Sequence, residues 1–276
     1  SLHDALPILV VVLPVVLALW FAQIRAREEI SDRLQSFSQL ALQKTEMVIH
    51  ESEQAREKAM QFTGELCSPQ HQHYMLNIVR GLLYVDDLIY ANGNKFICST
   101  AVHPEEGWRI AAANYTRQPD VSIYYYRDTP FYPGYDMNYM QRGHYAVVVN
   151  PLSYSSVISS DRDLAYGVFD TKTNMFFSVS KNVDARELHR LIRHEDAFFN
   201  QDGRVYTVAH SSIRPIAVIM STSRASYYAS LYDQVTLTLP LGIICSILIL
   251  MVWSRSRQQY HSPRNKLLRA LSHRQL

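Results

Sequence analysis

Few side chains in these 276 residues are candidates for covalent, metal or ligand chemistry, and the first are two cysteines, Cys67 and Cys98. The third cysteine, Cys245, lies in an uncharged apolar run. Two thiols in one domain read as a disulfide if they face an oxidising compartment. Closing a loop of about 30 residues stabilises a fold by roughly 3–4 kcal/mol in the chain-entropy picture. Such a bond is a structural staple or a redox switch, and spacing alone favours the staple. Histidines offer metal ligands in two pairs, His71 with His73 and His189 with His194. Neither separation, two or five residues, puts both rings on one helical face. No cysteine or carboxylate completes either pair at a recognised spacing, so all four read as surface histidines and no metal site is expected. Tyr124-Tyr125-Tyr126-Arg127-Asp128 is the most unusual polar-aromatic cluster. Tyr124 and Tyr126 fall on one side of a strand and Tyr125 on the other. Tyr126, Arg127 and Asp128 could hold a small ligand; equally, Arg127 could pair with Asp128 and the tyrosines could be core. A phosphate-binding glycine loop, a zincin motif and an aligned triad are all missing, so no catalytic residue is assigned.

The secondary structure expected around these residues is of mixed type. From Arg27 to about Gly64 the chain has no Pro or Gly, and apolar residues recur at helical spacing. Ile30, Leu34, Phe37, Ala41 and Val48 follow a heptad with Lys44 in one seam position; Ser52, Ala55, Ala59, Phe62 and Leu66 continue it after a four-residue stutter. The stripe packs either on a second copy or on its own domain. A shorter helix is expected over 70–83, carrying Met75, Ile78, Val79 and Leu82. Asn92-Gly93-Asn94 is a hairpin turn signal between Asp87–Tyr90 and Phe96–Cys98. Further strands are expected at 121–126, 144–149, 166–170, 175–179, 204–210 and 215–221, with hairpin turns at 170–174 and 211–214. A long leading helix followed by an antiparallel sheet with short helices is an α+β domain. Its plan looks like the Cache and PAS-like sensor domains, a likeness of fold only.

Two stretches carry no charge: the 20 residues between Asp4 and Arg25, and the 21 between Asp233 and Arg255. At 1.5 Å per residue each spans roughly 30 Å, the thickness of a hydrocarbon core. Trp20 and Trp253 fall where aromatic anchors meet headgroups. Two transmembrane helices are therefore expected, over 9–24 and 234–254. After Asp233 there is no acidic residue, while Arg255, Arg257, Arg264, Lys266, Arg269 and Arg274 follow. The positive-inside rule makes that end cytoplasmic and residues 25–233 external. Arg25 and Arg27 oppose this weakly, and Glu28 and Glu29 offset them. The external loop holds 21 Lys+Arg against 24 Asp+Glu, which gives no basis for nucleic-acid binding. Residues 1–8 read like a translated sequencing adapter, so native sequence is expected to begin near Leu9.

Taken in order, several segments resemble the CSS-motif sensor domains of bacterial cyclic-di-GMP phosphodiesterases, enterobacterial membrane enzymes with a C-terminal EAL domain. They include Phe37-Ser38-Gln39-Leu40-Ala41-Leu42, Cys67 with Pro69-Gln70-His71-Gln72, Met75-Leu76-Asn77-Ile78, Ile123 through Phe131, and Tyr139-Met140-Gln141-Arg142-Gly143. The Cys-Ser-Ser motif falls on Cys98-Ser99-Thr100, with threonine replacing the last serine but keeping a hydroxyl. The resemblance implies that Cys67 and Cys98 form a periplasmic disulfide that restrains the enzyme, and that reduction releases it. It implies residence in the bacterial inner membrane and a periplasmic thiol-oxidising system as partner; separately, a homodimer is expected if the helical stripe meets a second copy. Residues 255–276 look like the entry to an EAL domain, yet no Glu-Ala-Leu signature occurs in the sequence. Hydrolysis of cyclic-di-GMP to pGpG with Mg²⁺ or Mn²⁺ would then belong to that domain, and no cofactor is expected here. The competing function is a ligand-binding sensor feeding a histidine kinase or chemoreceptor.

Overall fold

The computed structural model describes residues 2–93, 95–101, 115–117, 121–126, 137–154, 163–172, 175–180, 188, 199–201 and 204–272. It divides into two compact units. One is formed by Ser1–Asp32 with Arg224–Leu276, the other by Arg33–Ser223. Helix α1 (Leu2–Ala59) contributes to both.

In the larger unit, α1 buries Leu34, Ala41, Val48, Ala55 and Ala59, together with Ser38, Thr45 and Ser52. The heptad stripe thus packs on its own domain. At two steps the seam lies one residue beyond the expected Phe37 and Lys44, which are only half-buried. The polar residues are tolerated because each hydroxyl donates to a carbonyl of its own helix. Ser38 donates to Gln35 (2.8 Å), Thr45 to Ala41 (2.8 Å) and Ser52 to Val48 (2.7 Å). The helix stops at Ala59, short of Gly64, and Leu66 is exposed.

Helix α2 (Pro69–Arg80) follows. Ser68 caps it by accepting the His71 N–H (3.2 Å), Pro69 occupies its first turn, and the Gly81 N–H closes its end on the Ile78 carbonyl (3.1 Å). These are the termination devices expected of proline and serine at a start and glycine at a stop. His71, Met75 and Ile78, spaced four and three apart, form its buried face.

Eleven strands are described. The first sheet has the order β2-β1-β6-β5-β4-β3, from β1 (Asp87–Asn92), β2 (Lys95–Ser99), β3 (Tyr115–Arg117), β4 (Val121–Tyr126), β5 (Met137–Arg142) and β6 (Tyr145–Val149). The second has the order β8-β7-β11-β10-β9, from β7 (Ala165–Asp170), β8 (Met175–Val179), β9 (Phe199–Gln201), β10 (Arg204–His210) and β11 (Ile216–Ser223). All pairings are antiparallel. The β1–β2 turn places Gly93 at φ +63, a left-handed conformation that glycine adopts without steric cost. Strands β3, β5 and β9 were not expected from sequence. β5 lacks polar alternation because Met137 through Gln141 are all buried, so neither face left a period-2 signal. The architecture is α+β, as expected.

The smaller unit pairs the N-terminal part of α1 with α3 (Arg224–Ser272). Small residues line the contact: a Cβ on Gly242 would lie 2.9 Å from the Ala18 Cβ and 3.0 Å from the Pro14 carbonyl oxygen. Ser246 donates to the Val11 carbonyl (2.7 Å) and Thr238 to that of Ala18 (3.3 Å). Close approach over Gly, Ala, Ser and Thr is how helices associate in lipid, where apolar burial between them gives no advantage. Among the described residues, one helix segment, Arg224–Ser256, is long and apolar enough to cross a membrane.

Candidate functional site

Cys67 lies in the connection between α1 and α2, and Cys98 in β2. Their sulfurs are bonded, with the Cα atoms 5.7 Å apart. Cys67 adopts φ +61, the only described non-glycine residue with a positive φ. Its backbone N–H donates to Nδ1 of His71 (2.9 Å) and its carbonyl accepts from Gln72 Nε2 (3.4 Å). A residue held in this uncommon region needs such surroundings to fix it.

His71 is fully buried, not a surface histidine. The expectation failed because position 71 begins the apolar face that continues through Met75 and Ile78; His73, two residues on, is exposed as its spacing requires. Since Nδ1 accepts a proton bond, Nε2 carries the hydrogen and lies 3.1 Å from the Tyr145 hydroxyl. Burial holds the imidazole below its ordinary pKa and pushes the Tyr145 phenol up. The ring also meets Phe62 (4.6 Å between centroids) and Tyr90 (5.7 Å). The sheet register explains the grouping: Cys98 pairs with Tyr90, which pairs with Tyr145. Three adjacent strands therefore present a row under α2, and Cys98 is only 2% exposed within it. Both sulfurs and one His71 ring nitrogen lie within 4.8 Å of one another. The pairing of His71 with cysteines distant in sequence was invisible to local spacing.

Ser99, the next residue, faces the opposite side of β2. There its hydroxyl donates to Asp87 Oδ2 and the Thr100 hydroxyl donates to Oδ1. Backbone N–H groups of Leu88 (2.7 Å), Thr100 (2.9 Å) and Ala101 (3.2 Å) donate to the same Oδ1. Asp87 is fully buried, and burial pushes its carboxyl up while these donors hold it back. The three-residue motif thus serves both faces of the sheet edge, its cysteine bonded to the connection before α2 and its hydroxyls donating to a buried carboxylate. Asp87 and Tyr145 were both missed in the sequence; for Asp87 the available signal was an acid opening an apolar strand.

Tyr124 and Tyr126 lie in β4, in register with Tyr139 and Met137 of β5. Arg127, Asp128, His189 and His194 fall outside the described residues.

Comparison with known proteins bears on the same segments. The CSS motif domain associated with EAL matches residues 31–235. Probable cyclic di-GMP phosphodiesterase PdeB of Escherichia coli (strain K12) is 24% identical over 281 residues, covering 98% of this chain and 52% of the relative. The chain therefore spans about half the length of that curated relative. Two solved structures share the fold of the sensor region. The periplasmic sensory domain of Campylobacter jejuni chemoreceptor Tlp1 has TM-score 0.50 at 12% identity, covering 74% of this chain and 98% of that one. A sensory box/GGDEF family domain from Vibrio parahaemolyticus has TM-score 0.50 at 11% identity, covering 75% and 99%. With the family match running from the seam of α1 to the start of α3, and the motif at Cys98-Ser99-Thr100 built into the sheet edge, the chain belongs to the CSS-motif domain family associated with EAL.

Proposed function

We propose that this chain is the periplasmic sensory and regulatory region of a membrane-bound cyclic-di-GMP phosphodiesterase, and that the Cys67–Cys98 bond restrains the attached enzyme. The observation that carries the reading is that bond, within a chain of the CSS-motif family. It joins the connection after α1 to the edge strand β2, so it sets how α1 leaves the sheet. Helix α1 runs from one unit into the other, and β11 leads directly into α3, so these two connections are the routes by which a change in the sensor unit is passed on. The bond can act as a switch only by favouring one of two arrangements over the other. In this reading residues 25–233 are periplasmic, two spans anchor the protein in the inner membrane, and an EAL domain with its Mg²⁺ or Mn²⁺ follows in the cytoplasm. The periplasmic thiol-oxidising system supplies the bond.

The test uses the full-length protein. Cys67→Ala and Cys98→Ala should raise hydrolysis of cyclic-di-GMP to the same extent, and the double variant should add nothing. Non-reducing gels should show one intramolecular bond that either substitution abolishes. If activity is unchanged while thermal stability falls, the bond is only a staple.

A further inference from the structure

We propose that the reduced sensor binds one thiophilic metal ion, Zn²⁺ foremost, through the Cys67 and Cys98 thiolates and Nδ1 of His71. This deepens the redox reading above and rests on it for its physiological meaning, though not for its test. The two sulfurs and a ring nitrogen already lie within 4.8 Å of one another. In a tetrahedral zinc site, Zn–S bonds of about 2.3 Å put two sulfurs about 3.8 Å apart. The two sulfurs, bonded to each other in the oxidised form, must therefore separate on reduction, which side-chain rotation supplies. The imidazole is already arranged as a metal-bound histidine is. Its Nδ1 carries the lone pair and faces Cys67, while its Nε2–H points at the Tyr145 hydroxyl. An oxygen partner on the far nitrogen fixes the tautomer and the ring orientation of a ligating histidine. Tyr145 is therefore a positioning residue, itself fixed in β6 opposite Tyr90. Loss of the bond leaves the Cys67 side chain free to turn, and moving its N–H off Nδ1 exposes the lone pair. The fourth position falls to solvent, which reaches the half-buried Cys67 side.

The chemistry balances with a dithiol reductant. Its first thiolate attacks the Cys67 sulfur, the accessible one, and the Cys98 thiolate leaves. Its second thiol then attacks the reductant's own sulfur in the mixed disulfide, releasing Cys67 as thiolate and the reductant as a disulfide. Two electrons pass to the protein's sulfurs. Zn²⁺ takes the place of the two thiol protons, which go to solvent. Because only the reduced form binds the ion, zinc pulls the thiol–disulfide equilibrium toward reduction. At free zinc of 100 times Kd the shift is about a hundredfold. The sensor would then respond to metal and reductant together.

The experiment uses the full chain in detergent, stripped of metal and reduced anaerobically with a phosphine. Titration with Co²⁺ should give a thiolate-to-cobalt charge-transfer band at one equivalent per chain, and Zn²⁺ should bleach it. The oxidised chain should give no band. Tyr145→Phe should weaken Zn²⁺ binding about tenfold, and His71→Gln should weaken it further, with melting of the oxidised variants confirming that both fold. Should His71→Gln fail to fold, zinc X-ray absorption on the reduced wild type gives the answer, with two sulfur scatterers and one imidazole expected. Equal binding by the oxidised chain, no loss in a folded His71→Gln, or a zinc sphere without sulfur would overturn the proposal. Those results would leave the activity of the cysteine variants untouched. Conversely, cysteine variants with unchanged phosphodiesterase activity would remove the switch without altering the metal titration.

Discussion

At the scale of single residues, the most exacting demand is the Asp87 carboxylate, fully buried and surrounded by five donor groups. A hydrogen bond to a charged group contributes about 1.5–3 kcal/mol. Thr100→Val should therefore destabilise the oxidised chain by roughly that amount, whereas Thr100→Ser, which restores the serine of the family motif, should be close to silent. The pH dependence has a definite sign. Burial holds the folded Asp87 pKa above its ordinary value, so as pH rises the unfolded chain ionises first and the fold keeps its proton. Asp87 thus lowers stability as pH climbs from the ordinary carboxylate range to its folded pKa, and the loss is constant above that. Removing a donor to the ionised form raises the folded pKa further. The cost of Thr100→Val should then be largest above the raised pKa, where folded Asp87 is ionised, and shrink on acidification, as urea midpoints across the pH range will read. A cost that is flat with pH would mean the Thr100 hydroxyl does not stabilise the charged carboxylate. The motif was legible as a string of residue types, but its hydroxyls had no visible purpose. Their partner sits eleven residues upstream of Cys98 on a neighbouring strand, and only the β1–β2 register brings them together. His71 was misread for a related reason: a polar residue on an apolar helical face reads as an interruption until its partners are known.

At the scale of elements, α1 is held to the sheets by acids on its flank as well as by its buried seam. Glu53 makes two bonds to Arg214 (2.9 and 2.7 Å), Glu46 accepts from Ser211, and Glu51 accepts the N–H groups of Leu83 (2.9 Å) and Tyr84 (3.0 Å). Two of these reach the turn joining β10 to β11, the strand that leads into α3. Arg214 and Glu53 remain 22% and 38% exposed, so solvent screens the pair. A double-mutant cycle with Glu53→Gln and Arg214→Met should return a coupling of about 0.5–1 kcal/mol, falling with added salt. Arg214→Lys should lose part of it, because an ammonium cannot make the two parallel bonds. A coupling indistinguishable from zero at low salt would reduce the contact to surface decoration. The long helix, the shorter helix after it and the three hairpins with turns at 92–94, 170–174 and 211–214 were readable because their signals are local: helical spacing of apolar residues, and turn residues. The shorter helix ends at Arg80, three residues before the expected end. Strand β5 and the three-residue strands β3 and β9 were not, since their evidence lies in pairing with neighbours. The question of what covers the α1 stripe was also open in sequence, as a seam looks alike whether it meets a second copy or its own sheet.

At the scale of the whole molecule, every functional statement turns on which side of the membrane the disulfide occupies. Six basic residues and no acidic one follow Asp233, and an arginine-rich flank is retained in the cytoplasm. The apolar part of α3 is long enough to cross, and Gly242 and Ser246 contact Ala18 and Val11 of α1, which runs antiparallel to it. If both spans cross, the cysteines lie on the oxidising side and the bond persists there; if the sensor faced the cytoplasm, the thiols would stay reduced. Alkaline phosphatase needs its own disulfides and folds only when exported, so it reports the same property independently. A fusion after Gly203 should be active and one after Arg274 inactive. In parallel, intact cells treated with a membrane-impermeant thiol reagent should show no labelling of Cys67 or Cys98 until a reductant is added outside. In a strain lacking the periplasmic thiol oxidase, both cysteines should label at once. An active fusion at Arg274 with a silent one at Gly203 would place the sensor in the reducing compartment, and neither the switch nor its reduced metal site could then respond to the periplasm.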